Sequence, residues 1–409
     1  MIASVQPLSG KRILLGISGS IAVYKAVDIL RRLTERGAEV HVVMTKNAER
    51  FVPRLTFEAL SKRAVLCDEF ENHTQSAIGH IEFTDRLDLA LIAPATANII
   101  GKIVSGIADD ALTSSLMAVS CPLLVAPAMN ERMYRNPILQ RNIQSLREIG
   151  IHIVEPGTGS LACGTVGKGR LADTDTILSS VSSLLAPRDL EGKTILITAG
   201  PTREPIDPVR FISNPSSGKM GYALAAAARD RGGSIILVSG PTALTPPQGV
   251  DVIRVTTAAE MKETVLRHAP KSDIVIMAAA VSDFRPVQTA VHKIKKERAT
   301  LTLELERTDD ILMQLGSIPG ERLLVGFAAE TDAIEQNALQ KLKKKNLDLI
   351  VVNNVLQPGS GFETDTNAVM ILDRNGNKHD LPTMVKSDVA SYILNTITTF
   401  LRSTNSQTA

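Results

Sequence analysis

Two stretches of the chain have the same order of predicted elements, and this repeat limits the fold more than any other feature. Residues 11–44 read as a buried strand, a Ser-Gly-Ser turn, a helix and a second strand. Residues 194–239 read as a strand, a longer loop, a helix and a strand. A strand that passes through small residues into a helix is typical of nucleotide-binding α/β domains. The sequence therefore predicts two tandem Rossmann-like domains.

The first domain, residues 1–188, is predicted to be a mainly parallel sheet flanked by helices. Its predicted strands are residues 11–16, 40–44, 86–93, 121–126 and 151–154, with helices at residues 21–36 and 178–185. These strands are apolar throughout, as in parallel sheets that are covered on both faces. Residues 157–169 are rich in glycine and predict a mobile loop.

The second domain, residues 189–409, is predicted to have the same architecture with an added β-hairpin. Its predicted parallel strands are residues 193–198, 234–239, 273–278, 323–326 and 348–352. The hairpin is predicted at residues 367–373 and 378–381, around an Asn-Gly turn. A closing helix is predicted at residues 386–401.

Small and polar residues follow the strands of the first domain directly. In open parallel sheets, ligands bind beyond the carboxyl ends of the strands. This rule predicts a single rim that contains Ser18, Thr45 and residues 94–98 and 127–130. The Ser18-Gly19-Ser20 turn offers hydroxyls and backbone N–H groups to a phosphate, although such a turn is also common as a packing element.

The long loop at residues 199–221 ends in Ser216, Ser217, Gly218 and Lys219, which lead into a helix. Small residues, a helix N-terminus and a lysine suit a phosphate. The pattern is neither a P-loop nor the dinucleotide fingerprint, and a helix entry without a ligand explains it equally well. Lysine clusters at residues 293–296 and 341–345 are either solvated charge or cations for a triphosphate.

Single residues in both domains could carry chemistry. His80 follows a flexible glycine, where a structural role is the more common one. Asn130 precedes a short helical segment and could be its N-cap. Cys163 lies among the glycines of residues 157–169, where a buried structural role is unfavoured. Asp283 follows a predicted strand, at a rim where a metal or a nucleobase could meet it.

The bulk composition excludes several classes of protein. With 45 basic and 43 acidic side chains the net charge is +2, which gives no reason to expect nucleic acid as a partner. No signal peptide and no apolar run long enough to span a membrane is found, so we expect a cytoplasmic protein. The three cysteines, Cys67, Cys121 and Cys163, are odd in number and widely separated, which argues against a disulfide framework and gives no Cys-x-x-Cys metal site.

Ten motifs, in order, resemble those of the bacterial bifunctional phosphopantothenoylcysteine decarboxylase and phosphopantothenate-cysteine ligase family of coenzyme A biosynthesis. In the first domain they are SGSIAVYK (18–25), GHIE (79–82), PATAN (94–98), PAMNERMY (127–134) and GSLACG (159–164). In the second they are AGPTREPIDPVRFISNPSSGKMG (199–221), AAAVSDF (278–284), KIKK (293–296), GFAAET (326–331) and KKKNLD (343–348).

For the first domain, which would be flavodoxin-like, the resemblance implies an FMN-dependent decarboxylase. His80 would be a catalytic residue, Asn130 the contact to the substrate carboxylate, and Cys163 the proton donor. FMN would oxidise the substrate thiol to a thioaldehyde, which gives the decarboxylation an electron sink, and then return the hydride. With Gly16, at the end of the first predicted strand, and Thr45 of the rim, the cofactor site is assigned to Gly16, Ser18, Gly19, Ser20, Thr45, Pro94, Ala95, Thr96 and Asn98.

For the second domain, the resemblance implies a ligase that uses CTP and Mg²⁺ to join 4′-phosphopantothenate to L-cysteine through an acyl-cytidylate. Asn214 would handle that intermediate, and Lys293 would act in the second half-reaction. Residues 308–311 depart from the family's usual pattern, so no contact is assigned there, and no metal ligand is assigned. The nucleotide site is assigned to Ser216, Ser217, Gly218, Lys219, Ala278, Ala279, Asp283, Lys293, Phe327, Lys341 and Lys345.

The resemblance also implies a homo-oligomer with a trimeric flavin domain, a dimeric ligase domain and a dodecamer from both. An alternative of another class is an FMN-binding regulatory protein without catalysis, since homologues of the decarboxylase domain act as phosphatase-inhibiting subunits. His80, Asn130 and Cys163 together with an attached ligase domain favour the enzyme.

Overall fold

The computed structural model describes residues 8–67, 86–160, 166–295, 301–330, 333–354, 361 and 364–408. His80, Cys163 and Lys296 lie outside the described residues. The chain divides into two compact units, Met1–Leu185 and Ala186–Ala409.

Unit 1 is built on a five-stranded parallel sheet in the order β2-β1-β3-β4-β5, which is the flavodoxin-like order. A two-stranded antiparallel ribbon, β6-β7, is separate from this sheet. The strands are β1 (Arg12–Ile17), β2 (Glu39–Met44), β3 (Leu89–Ala95), β4 (Leu123–Pro127), β5 (His152–Ile153), β6 (Gly157–Ser160) and β7 (Val166–Arg170). The helices are α1 (Val23–Glu35), α2 (Lys46–Glu49), α3 (Arg54–Ser61), α4 (Ala97–Ser105), α5 (Ala111–Ala118), α6 (Glu131–Tyr134), α7 (Pro137–Glu148) and α8 (Thr174–Leu184).

Unit 2 is built on an eight-stranded sheet in the order β12-β11-β8-β13-β16-β17-β18-β19. Its first six strands are parallel and follow the Rossmann order 3-2-1-4-5-6, whereas β18 and β19 are antiparallel. The sheet strands are β8 (Thr194–Ala199), β11 (Ser234–Ser239), β12 (Asp251–Arg254), β13 (Ile274–Met277), β16 (Leu323–Glu330), β17 (Leu349–Asn354), β18 (Thr366–Asp373) and β19 (Lys378–Val385).

Two short antiparallel ribbons and five helices complete the described part of unit 2. The ribbons pair β9 (Arg203–Pro205) with β10 (Phe211–Ser213), and β14 (Phe284–Pro286) with β15 (Leu305–Arg307). The helices are α9 (Lys219–Asp230), α10 (Ala258–His268), α11 (Ile311–Ser317), α12 (Ile334–Lys344) and α13 (Lys386–Thr408), and a 3₁₀ turn at Ala269–Lys271 follows α10.

Each sheet is covered on both faces, which confirms the doubly covered architecture. In β1, Ile13 and Leu15 point to one core and Leu14 to the other. In β8, Ile197 and Leu196 separate in the same way. Because alternate side chains leave a strand on opposite faces, a continuous apolar run is what a two-sided core requires.

The predicted third strand, residues 86–93, starts too early. Strand β3 begins at Leu89, and Asp88 before it lies at the amino edge of the sheet, where its carboxylate accepts a hydrogen bond from the backbone N–H of Arg12 at 2.8 Å. Strand β12 was not predicted at all. The helix predicted at 178–185 begins earlier, at Thr174.

Two predicted loops contain regular structure. Residues 157–169 were predicted to be a mobile loop, but their described parts form β6 and β7. The glycines permit close packing there, since a Cβ on Gly167 would lie within 2.7 Å of the Glu131 carboxylate and one on Gly169 would lie 2.5 Å from the Met129 carbonyl oxygen. The loop at 199–221 contains the hairpin β9-β10.

Candidate functional site

The carboxyl edge of the sheet in unit 1 is held together by one buried hydroxyl. Ser18 Oγ donates to the Pro94 carbonyl oxygen at 2.8 Å and accepts from the Thr96 N–H at 2.9 Å. Strands β1 and β3 are neighbours at the point where the strand order reverses, which is where ligands bind in such sheets. Ser18 therefore fixes the geometry of this switch point, and its single hydroxyl proton is used in doing so.

The assigned cofactor residues fall into a buried group and an accessible group. Gly16, Ser18, Pro94 and Ala95 are buried in unit 1. The accessible group presents hydroxyls, an amide and backbone N–H groups at one edge of the sheet. Its members are Gly19, Ser20, Thr45, Thr96 and Asn98. Thr45 and Thr96 also cap α2 and α4. This donor set fits the phosphate and ribityl groups of a flavin mononucleotide.

Asn130 lies on the same rim and caps a helix. Its Oδ1 accepts a hydrogen bond from the Arg132 N–H at 2.8 Å, so the capping alternative describes its local structure. Strand β7 packs against this turn, because the Met129 N–H donates to the Gly169 carbonyl oxygen at 2.9 Å. The end of β7 therefore lies beside Asn130.

A polar cluster attaches that ribbon to α6, and sequence reasoning did not find it. Glu155 accepts hydrogen bonds from Tyr134 at 3.2 Å and from Lys168 of β7 at 2.6 Å. Lys168 Nζ also lies 5.5 Å from the centre of the Tyr134 ring. Burial, and then the nearby Glu155 carboxylate, raise the pKa of the Tyr134 hydroxyl, so it remains a donor.

In unit 2 the switch point lies between β8 and β13, and the loops after these strands are bonded to each other. The Ala280 N–H donates to the Gly200 carbonyl oxygen at 2.9 Å, and the Ser282 N–H donates to Thr202 Oγ1 at 3.0 Å. Asn214 joins the same frame by donating from its side-chain amide to the Val281 carbonyl oxygen at 2.9 Å. The two loops form one rigid wall at the carboxyl edge of the sheet.

A cleft of about 380 Å³ opens at this edge, within the size range of small-molecule sites. Most of the assigned nucleotide residues line it, together with Asn214. They are Ser216, Gly218, Lys219, Ala278, Ala279, Asp283, Phe327, Lys341 and Lys345. Ser217 and the exposed Lys293 are not among the residues that line the cleft.

Glycines allow α9 to start directly at the cleft. Gly218, the N-cap of α9, has a φ of +78°, which a side chain would strain. A Cβ on Gly221 would lie 2.5 Å from the Ala199 Cβ, so only glycine lets the first turn of α9 pack on β8. The helix N-terminus is therefore directed at the cleft, as at the phosphate site of a dinucleotide fold.

Lysines surround the cleft, and some of them pair with carboxylates at its edge. Lys219 lies 2.6 Å from Asp365, and Lys345 lies 2.8 Å from Asp310. Burial alone would raise the pKa of Asp310, but the hydrogen bond from Lys345 and that from the Met313 N–H hold it below its usual value. The Lys345 ammonium is thus held at the cleft by an ionised partner.

Polar residues on β17, β18 and α13 also line the cleft, and the sequence analysis assigned none of them. Asn353, Asn367 and Lys386 are nearly buried. Lys386 donates to the carbonyl oxygens of Gly361 and Thr364, and burial followed by the nearby Lys219 lowers its pKa. The sequence signal that could have indicated two of these residues was an asparagine within each of the largely apolar strands β17 and β18.

Residues 308–311, to which no contact was assigned, line the cleft as well. Asp309 pairs with Lys262 at 2.6 Å. Across the described residues, no group of three or more His, Cys, Asp and Glu side chains is arranged to hold a metal ion. None of the described helices is both long and apolar enough to cross a membrane.

Comparison with known proteins matches both units to named families. Residues 1–186 match the family described as Flavoprotein. Residues 190–401 match the DNA/pantothenate metabolism flavoprotein C-terminal domain family. A solved C-terminal domain of a coenzyme A biosynthesis bifunctional protein is 46% identical, covers 53% of this chain and 99% of that chain, and superimposes with a TM-score of 0.46.

Curated relatives resemble the chain over nearly its full length. The coenzyme A biosynthesis bifunctional protein CoaBC of Bacillus subtilis is 50% identical, over 97% of this chain and 99% of that protein. The protein of the same name from Vibrio cholerae is 45% identical, over 96% of this chain and 99% of that protein. With this identity over this length, the chain belongs to the family of bifunctional proteins of coenzyme A biosynthesis.

Proposed function

We propose that the chain performs two consecutive steps of coenzyme A biosynthesis. Unit 2 ligates 4′-phosphopantothenate to L-cysteine with CTP, and unit 1 decarboxylates the 4′-phosphopantothenoylcysteine to 4′-phosphopantetheine. The division follows the expected domains, residues 1–188 and 189–409. The observation that carries the proposal is the cleft of unit 2, which gathers most of the expected nucleotide residues at the switch point of a Rossmann sheet.

The charge of the cleft supports a nucleotide triphosphate. Lys219 and Lys386 both line the cleft; Lys219 pairs with Asp365, and Lys386 donates to the Gly361 carbonyl oxygen. Lys345 is held by Asp310. Positive side chains and a helix N-terminus stabilise the negative charge of the leaving pyrophosphate. Mg²⁺ is expected on the phosphates themselves rather than on a protein cluster.

In the ligase reaction, the carboxylate of 4′-phosphopantothenate attacks the α-phosphorus of CTP and pyrophosphate leaves. The cysteine amine then attacks the acyl carbon and CMP leaves. Asn214 is proposed to orient the acyl-cytidylate, since its amide is already fixed against Val281. Lys293 is proposed to act in the second half-reaction.

In unit 1 the accessible rim residues are proposed to hold FMN, with Ser18 and the buried backbone at Gly16, Pro94 and Ala95 shaping the site. When bound, FMN supplies the two-electron oxidation that makes decarboxylation possible and the hydride that follows it. Asn130 is proposed to bind the substrate carboxylate. Cys163 is proposed to protonate the product carbon, and His80 to act as a further catalytic residue.

The finer properties of the enzyme are part of the proposal. We expect CTP rather than ATP, Mg²⁺ as the metal, a cytoplasmic location, and a homo-oligomer that is trimeric through the flavin domain and dimeric through the ligase domain. Nucleotide preference is measured directly by ligase turnover with each nucleotide.

Two variants test the two halves separately. Lys293→Gln should accumulate the acyl-cytidylate, whereas the matched control Lys295→Gln, also exposed on the same segment, should turn over normally. Cys163→Ser should retain FMN and release CO₂ but stop at an oxidised enethiol, with Cys121→Ser as its control. Undiminished ligase turnover in Lys293→Gln, or normal product from Cys163→Ser, would remove that residue from the mechanism.

A further inference from the structure

The tip of the β9-β10 hairpin contains a buried carboxylate. The side chain of Asp207 has no exposed surface. Its Oδ1 accepts from the N–H groups of Val209 and Arg210, each at 2.8 Å, which closes the turn. Its Oδ2 accepts from the N–H of Ile294 at 3.2 Å, across a large separation in sequence. Asp207 therefore binds the backbone of the hairpin tip and that of the segment containing Ile294 at the same time.

Three more hydrogen bonds fasten the same distant segment, residues 289–294, to the hairpin. Arg210 Nη2 donates to the Ile294 carbonyl oxygen at 2.7 Å, so both backbone groups of Ile294 are bound by the tip. The Ala290 N–H donates to the Ile206 carbonyl oxygen at 2.9 Å. Thr289 Oγ1 donates to the Pro205 carbonyl oxygen at 3.1 Å. Lys293 immediately precedes the doubly bound residue.

The other end of the hairpin leads to the cleft. Strand β10 ends at Ser213, whose hydroxyl donates to the Thr202 carbonyl oxygen at 2.7 Å, and the next residue is Asn214. One hairpin thus holds Asn214 at its base and the backbone beside Lys293 at its tip. An anchored backbone restricts where a flexible lysine side chain can reach, which is how orientation contributes to rate.

We propose that Asp207 is a positioning residue for Lys293, acting through the backbone N–H of Ile294 and through Arg210. The inference rests on the proposed ligase function and adds a residue to it. Asp207, like Lys293, is not among the residues that line the cleft, and its carboxylate is bonded to the backbone N–H groups of Val209, Arg210 and Ile294. Its loss should impair the step that needs Lys293 and leave nucleotide binding intact.

The test compares Asp207→Ala, Lys293→Gln and the double variant in the full-length chain, with Asp251→Ala as a surface control. Turnover of 4′-phosphopantothenate, cysteine and CTP to 4′-phosphopantothenoylcysteine is measured along with the accumulated acyl-cytidylate. We expect Asp207→Ala to lower turnover by on the order of 10- to 100-fold, to accumulate the same intermediate as Lys293→Gln, and to bind CTP with unchanged affinity. Hydrogen exchange should become faster at residues 289–295.

The double variant distinguishes positioning from general destabilisation. If Asp207 acts through Lys293, the double variant turns over no more slowly than Lys293→Gln, because contacting residues that act as a unit are not additive. Additive losses, or a loss of CTP affinity equal to the loss of turnover, would overturn the proposal. Should Asp207→Ala fail to fold, Asp207→Asn, which keeps one acceptor oxygen, is compared instead. Failure of the unmodified chain to make product would contradict the ligase function rather than the role of Asp207.

Discussion

The side-chain amide of Asn214 donates to the carbonyl oxygen of Val281 at 2.9 Å, and this bond links the loop that enters α9 to the loop that leaves β13. Both residues line the cleft of unit 2. The amide therefore fixes the distance between the two loops that together form the wall proposed to hold the acyl-cytidylate.

Asn214→Asp should reduce ligase turnover by on the order of 100-fold. The substitution replaces the donor with an acceptor that repels the Val281 carbonyl oxygen and any phosphate beside it. The decarboxylase step, measured with added 4′-phosphopantothenoylcysteine, should be unchanged, as should ligase turnover in the exposed turn variant Asn375→Asp. A ligase rate in Asn214→Asp equal to that of the unmodified chain would show that this bond is unimportant for the reaction.

Ser18→Ala should lower both the stability of unit 1 and its FMN content. The substitution leaves the buried Pro94 carbonyl oxygen and the Thr96 N–H without the Ser18 hydroxyl, which costs about 1–3 kcal/mol. FMN content is read from the absorbance of the purified protein, and stability from thermal unfolding. The control is Ser179→Ala, on the exposed surface of α8. Full FMN content with an unchanged melting temperature would refute this account of the rim.

Lys341→Gln and Lys345→Gln should each raise the KM for CTP about tenfold, since a charge-assisted contact to phosphate contributes about 1.5–3 kcal/mol. Lys344→Gln is the matched control, because Lys344 lies on the same helix but is exposed and does not line the cleft. The effect should weaken at high ionic strength in the unmodified chain as well. Equal KM values for all three variants would mean that the nucleotide binds elsewhere.

The two sheets have the same arrangement at their amino edges: an aspartate that accepts hydrogen bonds from a lysine and from a backbone N–H. Asp88 accepts from Lys11 and from the backbone N–H of Arg12. Asp273 accepts from Lys193 and from the N–H of Thr194 in the same way. In both, burial alone would raise the carboxyl pKa, but these donors outweigh burial and hold the pKa below its usual value.

Since the folded pKa of each carboxyl is lower than the unfolded value of about 3.9, each stabilises its unit above that pH and loses this contribution as the pH falls through the folded pKa. Asp88→Asn with Asp273→Asn should therefore lower the melting temperature at pH 7 and flatten its fall below about pH 4. Thermal unfolding followed by circular dichroism from pH 7 to below about pH 4 tests this expectation, with Asp251→Asn as control. If the melting temperature of the double variant fell with pH as it does in the unmodified chain, the stabilising role of these two carboxylates would be contradicted.

Much of this fold can be predicted from the sequence, because the pattern of apolar residues along each strand matches the burial of that strand in the sheet. The unbroken apolar runs at Ile13–Leu15 in β1 and at Leu196 in β8 predict buried parallel strands, and the Asn-Gly turn predicts the hairpin β18-β19. In the glycine-rich stretch around Gly167, glycine was interpreted as mobility, but the close approach of Glu131 is what requires it.

Site residues could be predicted from the sequence where they directly follow a strand. They could not be predicted where residues distant in sequence come together only in the folded chain. Ser18 and Gly218 lie at strand-to-helix turns, which the sequence reveals. Asn353 reaches the cleft only because β17 lies between β16 and β18 in the sheet, and Lys386 only because α13 packs against β18 and β19. The bond between Asp207 and Ile294 is equally invisible in sequence, since backbone donors leave no residue pattern.

The most direct test of the bifunctional assignment is mass spectrometry of the purified chain incubated with 4′-phosphopantothenate, L-cysteine, Mg²⁺ and either CTP or ATP. The account predicts 4′-phosphopantetheine and released CMP with CTP, and little product with ATP. Accumulation of 4′-phosphopantothenoylcysteine alone would contradict the decarboxylase half. No product with either nucleotide would contradict the enzyme assignment and favour an FMN-binding regulatory protein.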